Sequence, residues 1–450
     1  MGFPLRPSQS GLVISARMPR TLLRFPIWPG LFLLGGLVFA QTAPLTIDLQ
    51  QALARARQYG GQIQSANLTL ALATQDRVQA RAAKLPQVTG QSQYIHTEDN
   101  GSPTGVFVSA NGPHVFTDQA TVHQDVLTLV RHGEEQRAMA AEAVARARIE
   151  VASRGLNTVI IQDYYAIAGA TRKLVNATTS LAEARRFVDV TERLERGGEV
   201  AHADVFKAQS QLYQRLTDLS EARNVVDKAK ITLAVLIFPD FQTDYEVKDD
   251  LDQTDPLPLL PAARAQAVAA SPEVKTASAV LDQAGYEVSI ARYGYLPTIA
   301  LDFFYGLNAN ELKFHNAEGQ RNIGNAVQIT VDIPIWNWGI TKSKVKQAEL
   351  RRDQARLDVS LAQRALQANL ASAHREAEGA LEQVAFLRDS EAAATQSLGL
   401  TVLRYEAGEG TAFEVADAQS TVKQARDAYD DGLTRYRAAL ANLRSLMGTL

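Results

Sequence analysis

The chain has 450 residues, of which 16 are proline and none is cysteine, and its formal net charge at pH 7 is −3. This charge and the lack of basic runs after the N-terminal region exclude a nucleic-acid-binding surface, which needs clustered Lys and Arg. The absence of cysteine excludes disulfides, thiolate metal sites and cysteine nucleophiles. Few prolines and abundant Ala, Gln, Glu, Arg and Leu predict long helices instead of two or three globular domains.

The first 40 residues have the pattern of an export signal. Arg17, Arg20 and Arg24 precede an apolar segment at 27–39, and Val38-Phe39-Ala40 places small residues at the two positions that a signal peptidase reads. We therefore predict a signal peptide at 1–40 that is cleaved after Ala40. The mature chain is then exported.

The same segment has one alternative interpretation, a single membrane anchor. Its apolar core is shorter than the roughly 20 residues that a bilayer crossing needs, and Pro29 and Gly30 interrupt it. These features favour the cleaved signal. The start of translation stays open between Met1 and Met18, because the residues before Met18 add nothing to the signal.

Two pairs of segments recur about 210 residues apart in the same order, which indicates an internal duplication. Leu85-Pro86 is answered by Leu296-Pro297, and Arg196-Gly197-Gly198-Glu199 is answered by Glu406-Ala407-Gly408-Glu409. We predict a first repeat at 41–255 and a second at 256–450. Each is expected to hold a short helix, a medium helix, a pair of strands and two long helices.

The first repeat opens with residues 47–84, which are predicted to be helical with a break at Gly60-Gly61. Its strands are expected at about 88–96 and 116–128, and those of the second repeat at about 297–307 and 325–335. The second repeat shows the clearer pattern, because apolar and polar residues alternate along 327–335. Such strands have one apolar face and one polar face.

The strand pairs are followed by long helices, at about 133–237 with a turn near Gly198 and at about 341–447 with a turn near Gly408. The first long helix repeats apolar residues at intervals of seven, with alanines at 170, 177 and 184 beside them: Ile160, Ile167, Leu174, Leu181 and Val188. This is a coiled-coil seam, and a helix of this length spans about 100 Å. An ordinary coiled coil is the alternative from this feature alone.

Four strands with an apolar outer face cannot span a bilayer alone, because their edges would leave backbone groups unpaired in hydrocarbon. Three copies of four strands would close a 12-stranded barrel with a polar lumen. Ile333, Ile335 and Phe303 would then face lipid, and nearby aromatic residues would lie at the membrane interface: Trp336, Trp338 and Tyr305. This arrangement is a conduit, not a binding pocket.

The chain resembles the TolC family of outer-membrane efflux and secretion proteins over residues 45–450. The resemblance is carried by the duplication, the two Leu-Pro junctions, the tract at 403–411 with the following 414–418, and the ending Met447-Gly448-Thr449-Leu450. It implies a mainly α fold with a small β part, in a homotrimer. The β-barrel would lie in the outer membrane of a Gram-negative-type bacterium, in contact with its lipid, and the helical tunnel would cross the periplasm. An inner-membrane transporter would be reached through a periplasmic adaptor protein.

The resemblance also implies roles for residues at the two helical turns. Gly197-Gly198-Glu199 and Ala407-Gly408-Glu409 correspond to the tips that contact the adaptor, although only the central glycines match the Val-Gly-Leu-like triplet of similar proteins. Glu414 and Asp417 match the acidic pair that narrows the pore. Their i, i+3 spacing places both carboxylates on one helix face.

Further residues match positions that link neighbouring helix pairs in the closed state of the family. Tyr405 and Asp204 correspond to such links. The basic residue expected beside them is replaced by Gly410, and Arg404 is the basic residue that can stand in for it.

No nucleophile, base and orienting acid converge in the sequence, so we expect no catalytic residues, no cofactor and no metal site. The favoured function is an export duct of a tripartite efflux or type I secretion system. The alternative is a periplasmic coiled-coil or adaptor-like structural protein that never enters the membrane. The cargo stays open among drugs, metal ions, glycolipids and polypeptides.

Overall fold

The computed structural model describes residues 45–97, 114–240, 244–253 and 255–450. The predicted signal peptide lies outside these residues. The elements in chain order are β1 (Leu45–Ile47), α1 (Leu49–Tyr59), α2 (Gly61–Ala82), β2 (Gln87–His96), β3 (His114–Leu127), α3 (Leu129–Arg196), α4 (His202–Ile237), β4 (Tyr245–Val247), α5 (Leu260–Ala270), α6 (Pro272–Tyr293), β5 (Thr298–Ala309), β6 (Ile323–Asp332), α7 (Ile340–Glu406) and α8 (Ala412–Met447).

The two halves of the chain have nearly the same series of helix lengths. The first half has helices of 11, 22, 68 and 36 residues, and the second has helices of 11, 22, 67 and 36 residues. In both halves the strand pair follows the second helix. The fold-class prediction of long helical hairpins joined to four strands is confirmed.

The beginning of the described chain differs from the predicted helix. Leu45–Ile47 forms β1, which pairs in parallel with β4, Tyr245–Val247. Helix α1 begins at Leu49, because the Asp48 side chain accepts a hydrogen bond from the backbone N–H of Gln51 and the Gln51 side chain completes a capping box. The prediction that the helix starts at residue 47 is therefore wrong.

The other four strands form one antiparallel sheet in the order β2-β3-β5-β6. Their register places apolar residues in one row across the sheet, Val88, Val122, Phe303 and Val327. The next row points to the opposite face and is polar; it consists of Gln87, His123, Asp302 and Gln328. In a single chain Val88, Phe303 and Val327 of this row are solvent-exposed, at 71%, 39% and 66%, and Val122 is half-buried.

Strand β6 ends at Asp332, before the predicted end at residue 335. Pro334 lacks a backbone N–H and cannot continue the ladder, so Ile333 and Ile335 lie beyond the sheet, although both remain exposed. The chain then turns into α7 through Trp338 and Gly339, which have φ angles of 53° and 84°.

The long helices pair into two hairpins, α3 with α4 and α7 with α8. Four of the five seam residues predicted for α3 are buried, Ile160, Ile167, Leu181 and Val188, and Leu174 is partly buried. Because α3 is longer than α4, its remaining length packs against α2 and α6. Each 36-residue helix returns over about half the length of its partner.

Two glycines inside long helices bring α3, α7 and α8 close together. A Cβ added at Gly169 of α3 would lie 2.6 Å from the Oγ1 atom of Thr434 of α8, and one added at Gly432 of α8 would lie 2.7 Å from a methyl of Leu387 of α7. Glycine costs about 1 kcal/mol relative to alanine in a helix interior. These two glycines allow the helices to approach closely, because a Cβ at either position would clash with the neighbouring helix.

Near these two glycines, the linker between the repeats places its acidic residues against α3 and α8. Arg172 of α3 binds Asp249 and Asp252 with N–O distances of 2.6 and 2.7 Å. Arg437 of α8 binds Asp250 and Asp255 at 2.7 and 3.2 Å. We call the region formed by Gly169, Arg172, the described residues of 248–255, Gly432 and Arg437 the waist.

Candidate functional site

The candidate site lies at the two turns that join the long helices, and the backbone of the two turns is the same. Gly198 and Gly408 both have a φ of 77°, in the left-handed region that glycine adopts without strain. In the second turn the Gly408 N–H donates to the Tyr405 carbonyl at 3.0 Å and the Glu409 N–H donates to the Arg404 carbonyl at 2.9 Å, and the first turn repeats both bonds. This Schellman geometry explains why the predicted tips share their central glycine.

Glu414 has a local structural task at the second tip. The Thr411 side chain accepts a hydrogen bond from the Glu414 N–H at 3.3 Å, and the Glu414 carboxylate accepts one from the Thr411 N–H at 3.4 Å. This capping box starts α8. Asp417 follows one turn later, and both carboxylates are exposed on one side of the helix. The structure thus brings together the predicted acidic pair, and its role in a constriction stays a prediction.

Arg404 contacts the beginning of α8 from the end of α7. Its Nη2 atom donates to the Glu409 carbonyl at 3.2 Å, and its Nη1 atom lies 3.9 Å from Glu414. Arg404 therefore braces the second tip within one hairpin. Gly410 lies beneath it, and an added Cβ there would be 3.1 Å from the backbone nitrogen of Tyr405. A larger side chain at Gly410 would press on the backbone of α7.

Tyr405 is buried between the two hairpins. Its hydroxyl donates to the Oγ1 atom of Thr191 of α3 at 3.1 Å, and its ring packs against Phe187 with centroids 5.5 Å apart. Burial raises the pKa of Tyr405, the Thr191 hydrogen bond lowers it, and the charge of Asp204 raises it. Tyr405 is thus hydrogen-bonded to Thr191, and Asp204 acts on it through charge. The role of either residue as a closed-state link stays a prediction.

Thr191 was not identified from the sequence, although a signal for it exists. It continues the spacing of the small residues along α3, because Ala170, Ala177, Ala184 and Thr191 are seven residues apart. Thr191 is fully buried. Its hydroxyl also donates to the Phe187 carbonyl at 2.8 Å.

The first tip carries different side chains on the same backbone turn. Glu195 and His202 lie on either side of it, with a distance of 2.5 Å between Oε1 and Nδ1. Asp204 lies in the first turn of α4 and is half-buried. The predicted tip residues Gly197, Gly198 and Glu199 are exposed, as are Ala407, Gly408 and Glu409.

Above the tips, polar contacts join the hairpins around a cavity of ≈ 320 Å³. Arg186 of α3 lies 3.4 Å from Glu406 of α7, and the Gln419 amide of α8 donates to the Glu183 carbonyl at 3.3 Å. The cavity walls are mostly apolar and include Phe187, Val190, Leu398, Val402, Leu403, Tyr405 and Val415. A second cavity, of ≈ 270 Å³, lies at the waist beside Asp250, Asp255 and Arg437.

In the part of the chain that the structure describes, no group of three or more His, Asp or Glu residues is arranged to hold a metal ion. None of the helices described there combines the length and apolar character that a membrane crossing requires.

Comparison with known proteins gives consistent matches. The family model of outer membrane efflux proteins matches residues 263–449. The chain is 24% identical to the outer membrane efflux protein BepC of Brucella suis, over 86% of this chain and 82% of BepC. It is 26% identical to the outer membrane protein TolC of Escherichia coli, over 59% of this chain and 55% of TolC.

Solved structures show the same fold. The CmeC outer membrane channel of Campylobacter jejuni superposes with a TM-score of 0.77 at 16% identity, over 89% of this chain and 85% of CmeC. The outer membrane protein VceC of Vibrio cholerae superposes with a TM-score of 0.76 at 17% identity, over 89% and 96% of the two chains.

Proposed function

We propose that this chain, which belongs to the outer membrane efflux protein family, is the outer-membrane channel of a tripartite efflux or type I secretion system. Proteins of this family are channels. The observation that carries the proposal is the four-stranded sheet, which exposes an apolar row on one face and has a polar row on the other. A sheet with these faces suits a wall between lipid and water.

The sheet needs further copies to become such a wall. Its edge strands β2 and β6 have no partner beyond the sheet among the described residues. In hydrocarbon an open edge leaves backbone groups unpaired, so β6 of one copy pairs with β2 of the next until the barrel closes. Three copies of four strands give the 12-stranded barrel of a homotrimer. Val88, Val122, Phe303 and Val327 then face lipid.

The hairpins continue this wall away from the membrane. A helix of 67 or 68 residues is about 100 Å long, enough to extend far into the periplasm. Solutes pass through the water-filled interior from an inner-membrane transporter. The tips at Gly198 and Gly408 contact the periplasmic adaptor protein through their exposed turns.

We further propose that the tips hold the periplasmic entrance. Glu414 and Asp417 line it, so three copies place six carboxylates in a ring that favours cations. Tyr405 holds the two hairpins of one chain together through Thr191. Arg404 supplies the basic contact that Gly410 lacks, since it already binds the turn and approaches Glu414.

The test of the sheet uses two neighbouring positions on β6 that lie on opposite faces. Val327→Arg places a charge on the lipid face, at a cost of about 2 to 4 kcal/mol near the bilayer midplane, and Gln328→Arg places the same charge in the lumen. We expect only Val327→Arg to reduce the amount of heat-sensitive trimer in isolated outer membranes. A periplasmic scaffold would be released with the soluble periplasm and would tolerate both substitutions, which would overturn the proposal.

A further inference from the structure

A lysine on the first repeat reaches the acidic tip of the second. Lys207 lies on α4, and its Nζ atom is 4.5 Å from the ring centroid of Phe413 on α8. Phe413 directly precedes Glu414. An ammonium over the face of an aromatic ring is held by the ring quadrupole without losing its charge. The Lys207 charge is therefore fixed beside the first turn of α8.

The internal duplication identifies the residue of the second repeat that corresponds to Lys207. With the repeat offset of about 210 residues, Asp204 corresponds to Glu414 and Lys207 corresponds to Asp417. Both pairs are spaced i, i+3 and follow turns of the same backbone geometry. The second repeat thus presents two carboxylates where the first presents one carboxylate and one ammonium.

Lys207 is not neutralised by the acidic pair. In the described part of the chain, no ion pair within 4.0 Å joins Lys207 to Glu414 or Asp417. Glu414 is occupied by its capping box with Thr411, and the nearest cation is Arg404, at 3.9 Å. The ring of Phe413 holds the ammonium near the carboxylates, so its positive charge opposes their negative potential.

We propose that Lys207 is a charge-selectivity residue of the periplasmic entrance, positioned by Phe413, which lowers the preference of the acidic ring for cations and admits anionic solutes. This proposal rests on the proposed function, because it needs the acidic pair to line a pore. In this proposal Lys207 of α4 supplies a positive charge at the tips, where Gly410 replaces the expected basic residue. Each chain adds one such charge, so three copies alternate Lys207 with the carboxylates.

The test measures the K⁺ to Cl⁻ permeability ratio of the full-length trimer in planar bilayers, from reversal potentials in a KCl gradient at low salt. Lys207→Gln should raise the ratio at least about twofold, and Lys207→Arg should keep the wild-type value. Lys228→Gln is the matched control, an exposed lysine about 30 Å farther along the same helix. The effect should shrink at 1 M salt, where the Debye length is about 3 Å.

The positioning role of Phe413 has its own matched pair. Phe413 and Phe206 are 61% and 59% exposed; the Lys207 ammonium lies over the ring of Phe413, whereas the ring of Phe206 packs against His202. Phe413→Leu should shift the ratio in the same direction as Lys207→Gln and by less, whereas Phe206→Leu should leave it unchanged.

The outcomes separate this proposal from the one on which it rests. An unchanged ratio in Lys207→Gln, or an equal rise in Lys228→Gln, overturns the role of Lys207. If the wild-type protein forms no channel, or if Glu414→Gln with Asp417→Asn leaves the ratio unchanged, the entrance itself is misplaced and the proposed function of the tips fails.

Discussion

The waist and the tips join the same helices by different means. At the waist, Arg437 is 6% exposed and binds two linker aspartates, and glycines let the helices touch. At the tips, the ion pair between Arg186 and Glu406 is exposed, with 72% and 33% of the two side chains accessible to solvent. Exposed ion pairs contribute about 0 to 1 kcal/mol, whereas breaking a buried one costs several.

This difference indicates where the structure can move. Separating the helices at the waist would break the ion pair between Arg437 and Asp250, whose side chains are 6% and 16% exposed. Separating them at the tips would break the Tyr405–Thr191 hydrogen bond and exposed ion pairs only. We expect the waist to stay fixed while the tips open.

The largest expected effect is at Arg437. Arg437→Ala leaves the carboxylate of Asp250 without its cation, at a cost of about 3 to 5 kcal/mol, whereas Asp255 keeps Arg444 at 3.1 Å. Arg435→Ala is the matched control, because Arg435 is 53% exposed and pairs with Glu376 at 2.6 Å, so its loss should cost about 0 to 1 kcal/mol. Melting of the solubilised protein, followed by circular dichroism, measures both. Equal small decreases in melting temperature would show that the waist is no stronger than the surface.

A second prediction concerns the close approach of α3 and α8. Gly169→Val places methyl groups against Thr434 and should destabilise the protein by about 1 to 3 kcal/mol. Gly155 lies on the same helix with nothing within 4 Å of an added Cβ. Gly155→Ala should therefore stabilise α3 by about 1 kcal/mol. A Gly169 variant that melts with the wild type would mean that the helices do not depend on this contact.

At the tips, Tyr405→Phe removes only the hydrogen bond to Thr191. The Thr191 hydroxyl keeps its bond to the Phe187 carbonyl, so the cost is about 0.5 to 1.5 kcal/mol. The melting temperature should hardly change, but single-channel conductance in planar bilayers should rise because the entrance opens more readily. Tyr213→Phe, at a tyrosine that is 66% exposed, is the control. Conductance equal to the wild type would place the gate elsewhere.

The smallest effect is the pH dependence of the waist. The Arg172 hydrogen bond lowers the pKa of Asp252; burial raises that of Asp255, but hydrogen bonds from Arg444 and Arg437 outweigh it and the pKa of Asp255 is lowered. A lowered pKa gives stability that is present above the ordinary value of 3.8 and is lost as pH falls from there through the folded-state value.

Asp430 opposes this trend, because burial raises its pKa and the folded protein takes up a proton there more readily as pH falls.

The double variant Asp252→Asn with Asp255→Asn tests the two lowered pKa values. Its melting temperature should be below that of the wild type at pH 7, and the difference in melting temperature should close below pH 3.8. A constant difference across this range would exclude the carboxylate charge as its cause.

Much of this architecture could be predicted from local chemistry. Pro86 and Pro297 stop helices before strands, and Gly198 and Gly408 terminate the long helices, because these residues limit the backbone wherever they occur. The spacing of Thr411 and Glu414 likewise predicts a capping box at the start of a helix.

The waist could not be predicted. Arg172 and Arg437 lie 77 and 187 residues from the aspartates Asp249 and Asp250 that they bind, and no periodicity connects them. Strands β1 and β4 have three residues each, too few to show an alternation. The contact of Lys207 with Phe413 likewise depends on how two hairpins pack, which the separate repeats do not encode.

The two turns with one backbone and different side chains bear on the stoichiometry of assembly. Glu195 and His202 flank the first turn, and Tyr405 and Ala412 occupy the equivalent places at the second. Three copies would present six turns around the rim, alternating between two chemical kinds. A partner that recognises only the shared backbone meets six equal places, whereas a partner that reads the side chains meets three. Counting the bound partners per trimer therefore reveals which part of the duplication the partner recognises.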